Sequence, residues 1–115
     1  MHELVERGQA ISTSKHREAL SAAARFAEEL HAILPPGSVA VQAAVEDVAP
    51  LRDEGTGSPL LQALWTVTGF PVVAVPCGLW QGLPIGVQLA APAAHESSLL
   101  ATARKLIDGL EGSTL

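Results

Sequence analysis

Cysteine is nearly missing from these 115 residues: Cys77 stands alone, and there is no tyrosine. A single thiol excludes an internal disulfide framework and any zinc site built from paired cysteines. Aromatic residues make up 3% of the chain, so its core has to come from closely packed Ala, Val, Leu and Ile. Seven basic residues face twelve acidic ones, giving a net charge of −5 and a pI near 5.2. They are scattered, which leaves no electrostatic footprint for nucleic acid or an anionic membrane. No apolar run reaches the ~18 residues of a membrane span, and "MHELVERGQA" lacks the cationic start and apolar stretch of a secretory signal. The expected location is cytoplasmic, with no nucleic-acid and no membrane partner.

What is present reads as one globular domain, 48% hydrophobic and 17% charged. Residues 1–14 form an N-terminal extension with few apolar positions, ending in a polar cluster, Ser12, Thr13 and Ser14, able to cap a helix. Over Lys15–Leu34, the residues Ala19, Ala22, Ala23, Phe26, Leu30, Ile33 and Leu34 recur at helical spacing. Pro35, Pro36 and Gly37 stop that helix, since proline lacks an amide proton and restricts the residue before it. Ser38–Val45 alternates as a strand does, and Glu46–Gly57 has the charge, proline and glycine of a surface loop. Ser58 then fits an N-cap with Pro59 in the first helical position, and Leu60, Leu61, Leu64, Trp65 and Thr68 carry a short helix to Gly69.

Val72–Val75 is apolar at every position, the pattern of a strand covered on both faces. After the turn region "CGLWQGLP", the alternation of Ile85, Val87 and Leu89 predicts another strand, close enough in sequence to pair antiparallel with the first. A last helix over His95–Asp108 turns Leu99, Leu100, Ala103, Leu106 and Ile107 inward and ends at Gly109. The sum is an α/β fold: a small mixed sheet of about three strands with about three helices. That is few strands for a sheet covered on both sides.

The stretch "LWTVTGFPVVAVPCGLWQGLPIGVQLAAP", with Trp65, Thr66, Gly69, Pro71, Pro76, Gly78, Gly82, Leu83, Pro84, Gly86 and Gln88 at matching positions, resembles the C-terminal region of the amidase signature family. These are hydrolases of carbon–nitrogen bonds in amides. "HESSLL" with "ATARKLI" looks like the family's closing helix, and Ala49-Pro50 followed by "GTGSP" looks like its approach to the Trp helix. The resemblance covers about residues 15–110 and makes 15–115 the C-terminal portion of an amidase-like domain. It departs at Gln42 and Ala43, where the family often carries Pro with Thr or Ala, which puts the geometry of the following loop in question.

The resemblance implies a complete enzyme with a serine nucleophile, a second serine joined through a cis peptide, and a lysine base, the serines lying in a Gly/Ser-rich segment with no counterpart in this sequence. Amide substrate would then be met only in the context of a complete enzyme, and the expected protein partner is an N-terminal chain or, separately, further copies in a homo-oligomer. Without them the chain is expected to be inactive. The alternative is a non-catalytic α/β module that self-associates or docks on a partner chain.

Local residues make no convincing site of their own. Ser98 and Lys105 lie seven positions apart, about 10 Å along a helix, whereas proton abstraction needs contact near ~3 Å. Cys77 has no histidine nearby in sequence and reads as a small packing residue in a turn. His2, His16, His31 and His95 show no paired ligand spacing, and Glu46 with Asp47 reads as a solvated loop. No residue is therefore assigned a catalytic role, and no metal or cofactor is expected. Two residues are substrate-pocket candidates: Trp65, an indole on an apolar helix face, and Gln88, an amide in an apolar strand whose burial requires partners. Gly69, Pro71, Pro76, Gly78, Gly82, Pro84 and Gly86 are read as structural, the glycines giving positive φ or close approach of strands and the prolines rigidity.

Overall fold

The computed structural model describes residues 1–112. In chain order these form α1 (His2–Gln9), α2 (Thr13–Ile33), β1 (Ala40–Ala43), a 3-10 turn at Arg52–Glu54, α3 (Leu60–Thr68), β2 (Val72–Trp80), β3 (Leu83–Ala90) and α4 (Glu96–Glu111). The strands make one sheet in the order β1-β3-β2. Both pairings are antiparallel, so the α/β class holds while the sheet is not mixed in direction. The reason is the connection between β2 and β3, two residues long at Gln81 and Gly82 with φ of 52° and 78°. Left-handed backbone at both positions gives a turn whose twist suits adjacent antiparallel strands.

Helix α2 starts where the polar cluster predicts, Ser12 Oγ accepting from the Lys15 N–H at 3.2 Å. The extension before it is itself helical over His2–Gln9, with exposed His2 Nε2 and Glu6 Oε1 3.3 Å apart across one turn. Helix α3 begins one residue later than expected. Pro59 takes the cap position, and Ser58 Oγ accepts from the Leu60 N–H at 3.2 Å. Gly69 closes the helix in the left-handed conformation, its N–H on Trp65 O at 2.9 Å. Helix α4 passes through Gly109 and ends at Glu111, because its apolar stripe continues to Leu110, which packs on the core.

Two small cores lie on opposite faces of the sheet. On the first, Leu99 and Ala103 of α4 pack against Val75, Leu89 and Ala91, with Val73, Val87, Leu106 and Ile107 around them. Leu100, expected to face inward, is 59% exposed because it sits one helical step round from Leu99. On the second face, Trp65 and Phe70 pack against Ala90, with Leu30, Leu34, Ala40 and Leu64 at the margin. Only the C-terminal end of α2 reaches this core. Phe26 and Ile33, which share the apolar stripe of α2, remain exposed, as do Leu4 and Val5 of α1, Ile11 between the two helices and Leu20 of α2.

Full coverage of β2 does not occur. Val73 and Val75 lie under α4, while Val72, Ala74 and Pro76 on the other face are exposed, since α3 sits over β1 and β3 and stops short of them. The molecule is consequently a plate of 54 × 41 × 17 Å. Its radius of gyration is 17.2 Å, against about 13 Å for a compact chain of this length.

The two faces of α4 give a direct check. Leu99→Ala should lower the free energy of unfolding by about 2–5 kcal/mol, read from urea melts, whereas Leu100→Ala should stay within about 0.5 kcal/mol. Equal effects would mean that α4 does not lie on the sheet as described.

Candidate functional site

The two pocket candidates meet. Trp65 from α3 and Gln88 from β3 line one cleft of about 240 Å³ together with Gln62, Thr66, Phe70 and Val72. It opens on the sheet face that α3 covers only in part. Trp65 and Phe70 form its apolar floor, each 5% exposed, with ring centroids 5.8 Å apart and a tilt of 36°. His31, from the last turn of α2, lies against the far side of Phe70 at 4.6 Å. Trp65 Nε1 is enclosed, with no hydrogen-bond partner among the described residues.

Gln88 is 4% exposed, and its amide nitrogen donates to Leu61 O at 2.8 Å and to Ala43 O at 3.3 Å. Gln42, directly opposite it on β1, donates to the same Leu61 carbonyl at 2.7 Å. Gln62, on α3, donates in return to Ala44 O. Three glutamine amides thus tie the first turn of α3 to β1 and β3, each using its NH₂ group on a backbone carbonyl. Gln42, the point of departure from the amidase pattern, sits inside this clamp and fixes the start of the loop that follows it.

Gly69 and Pro71 flank Phe70 of the cleft lining, while the other glycines and prolines of the resemblance shape the hairpin beyond it. Pro71 joins α3 to β2, its carbonyl accepting from the Ala91 N–H at 3.3 Å. Pro76 pairs with Gly86 and Gly78 with Ile85, leaving Cys77 as the extra residue of a bulge. Pro84 pairs with Leu79 next to the Gly82 turn. Gly86 is required by close approach: a Cβ there would lie 3.0 Å from the Val75 carbonyl oxygen.

No described serine, threonine or cysteine side chain is hydrogen-bonded to a His, Lys, Asp or Glu side chain. Ser97 and Ser98 are exposed on the first turn of α4, and Lys105 is exposed two turns on. Cys77 is half-buried and lines a separate hollow of about 410 Å³ with Glu46 and Asp47, but the Asp47 carboxylate accepts from the Val48 N–H at 2.7 Å rather than from the thiol. Among the described residues no three His, Cys, Asp or Glu side chains converge as a metal set. None of their helices is long and apolar enough to cross a membrane.

Compared with known proteins, the sequence matches no protein-family model, and no curated protein matches it. The likeness to amidase signature enzymes thus rests on the residues quoted for it. Sequence reasoning placed Trp65 and Gln88 but missed Gln42 and Gln62 as their supports. The available signal was three amides in otherwise apolar surroundings, each needing a buried partner.

The clamp predicts a specific coupling. Gln42→Leu and Gln88→Leu should each destabilise the protein by about 1 kcal/mol. Because both amides share the Leu61 carbonyl, the double variant should differ from the sum of the singles by at least ~0.5 kcal/mol in urea melts. Strict additivity would show that the two amides act independently.

Proposed function

We propose that this chain is the C-terminal segment of an amidase-type hydrolase acting on carbon–nitrogen bonds, and that it supplies one wall of the substrate pocket while the catalytic groups come from elsewhere. The observation that carries the reading is the cleft: Trp65 and Gln88, twenty-three positions apart, share one hollow, and its lining residues Trp65, Thr66, Phe70, Val72 and Gln88 all belong to the stretch that carries the resemblance. Its chemistry is that of a wall. The lining holds apolar rings, amides and one hydroxyl, with no nucleophile in contact with a base.

The uncovered surface supports the same reading. The chain exposes 8615 Å², while a compact monomer of this mass exposes about 6,000 Å². The difference of about 2,600 Å² has the size of an obligate interface. A partner chain bearing a Gly/Ser-rich nucleophile segment would cover such surface and complete the pocket. The second reading, a non-catalytic module that self-associates or docks on a partner, draws on the same surface. Sedimentation separates the two, since self-association makes the purified chain a concentration-dependent oligomer in the absence of other proteins.

Two experiments test the first reading. The purified chain should hydrolyse no simple amide and take no label from a fluorophosphonate probe; turnover or labelling abolished by Ser98→Ala or Cys77→Ala overturns it. In a complete amidase signature enzyme whose corresponding segment is replaced by residues 58–110, amide turnover should persist. Trp65→Ala in that chimera should raise KM by about tenfold, equivalent to ~1.4 kcal/mol of binding. A folded chimera without turnover counts against the assignment.

A further inference from the structure

Among the described residues, the glutamines of the clamp use only the donor end of their amides. A carbonyl oxygen accepts and never donates, so the two carbonyl partners of Gln88 fix its NH₂ end and turn Oε1 away from them. That oxygen accepts no hydrogen bond from the described residues. Among those residues the fully enclosed side-chain polar atom without a partner is Trp65 Nε1. Gln88 Oε1, equally unpartnered, therefore keeps an opening, and the hollow that Gln88 lines is the α3–β2 cleft. Gln62 repeats the arrangement: its Nε2 is tied to Ala44 O, its Oε1 accepts nothing from the described residues, and it lines the same cleft.

We propose that this cleft binds a small organic group that joins an apolar body to an N–H or O–H donor, the donor being received by the amide oxygens of Gln88 and Gln62. The body lies on Trp65, Phe70 and Val72, the apolar members of the lining. At about 240 Å³ the cleft accommodates a single ring, given that a cavity of roughly 150 Å³ suffices for benzene. The selectivity follows from desolvation. An apolar body filling the cleft displaces water from both oxygens, and a ligand without a donor leaves them unsatisfied. An acceptor-only head such as a carboxylate would face these two oxygens with only the Thr66 hydroxyl to receive it. The oxygens need no rearrangement to act, because the backbone carbonyls already hold the amides from the other end.

The proposal rests on reading the cleft as the substrate side of the chain, but its test measures binding without turnover. The probes are benzyl alcohol and anisole, isomers of one composition, of which only the first carries a donor. Side-chain NH₂ signals of Gln88 and Gln62 and the Trp65 indole signal are followed by NMR on the full chain. Benzyl alcohol should shift them saturably, with a dissociation constant roughly tenfold below that of anisole. Gln62→Met, which gives up the single clamp bond to Ala44 O on the partly exposed side of α3, should narrow that gap. Since Gln88→Met also removes two hydrogen bonds of the clamp, the isomer comparison on the unaltered chain carries the decision. Equal affinities, an absence of saturable shifts at Gln88, or a gap unchanged by Gln62→Met would overturn the proposal. Such a result alongside an active chimera would leave the amidase reading standing, and donor selectivity alongside a folded, inactive chimera would leave the ligand assignment standing without it.

Discussion

The Leu61 carbonyl is the point on which the second face of the molecule depends. It receives two side-chain amides, from Gln42 at 2.7 Å and Gln88 at 2.8 Å, arriving from neighbouring strands. In a part-buried setting such bonds are worth most as constraints, because breaking one leaves a polar group without water or partner. They set where α3 lies on the sheet. That position in turn sets the depth of Trp65, the place of Phe70 after the Gly69 cap, and the width of the cleft between α3 and β2.

The opposite face is built on a different principle. Helix α4 covers it with small and branched apolar side chains, and no side-chain polar contact between α4 and the sheet is needed to hold it there. One face is thus positioned by directional bonds, and the other by packing. The division leaves a shaped hollow on one side of the sheet and ordinary core on the other. It also explains why the amides, the indole and the aromatic floor gather on the same side of a thin sheet.

Much of this was legible in the sequence. Helices α2, α3 and α4, all three strands, the β2–β3 hairpin and the pairing of Leu99 with Ala103 follow from periodicity and from glycine and proline punctuation. The gathering of Trp65 and Gln88 in one cleft was less accessible, since it depends on the register of Gln42 opposite Gln88, which no local pattern specifies. Apolar content alone misled in two places. Val72–Val75 reads as doubly covered, and Leu100 reads as turned inward, because periodicity shows which residues share a face but not whether anything lies on it. Helix α1 was hidden by its polarity. Its few apolar residues, Leu4 and Val5, meet no core.

The bulge at Cys77 has a bearing on how the plate behaves among its own copies. Strand β2 lies at the rim of the sheet, where unsatisfied main-chain groups invite accretion of further strands. An incoming strand could stay in step only along Val72–Val75 before meeting the prolyl nitrogen of Pro76, which has no proton to offer, and then a surplus residue that throws the spacing out. Runaway stacking into fibrils is blunted within about four residues by the same kink that ends the straight part of the hairpin. Open flat faces and an interrupted rim together favour a neighbour laid on top over one zipped to the side.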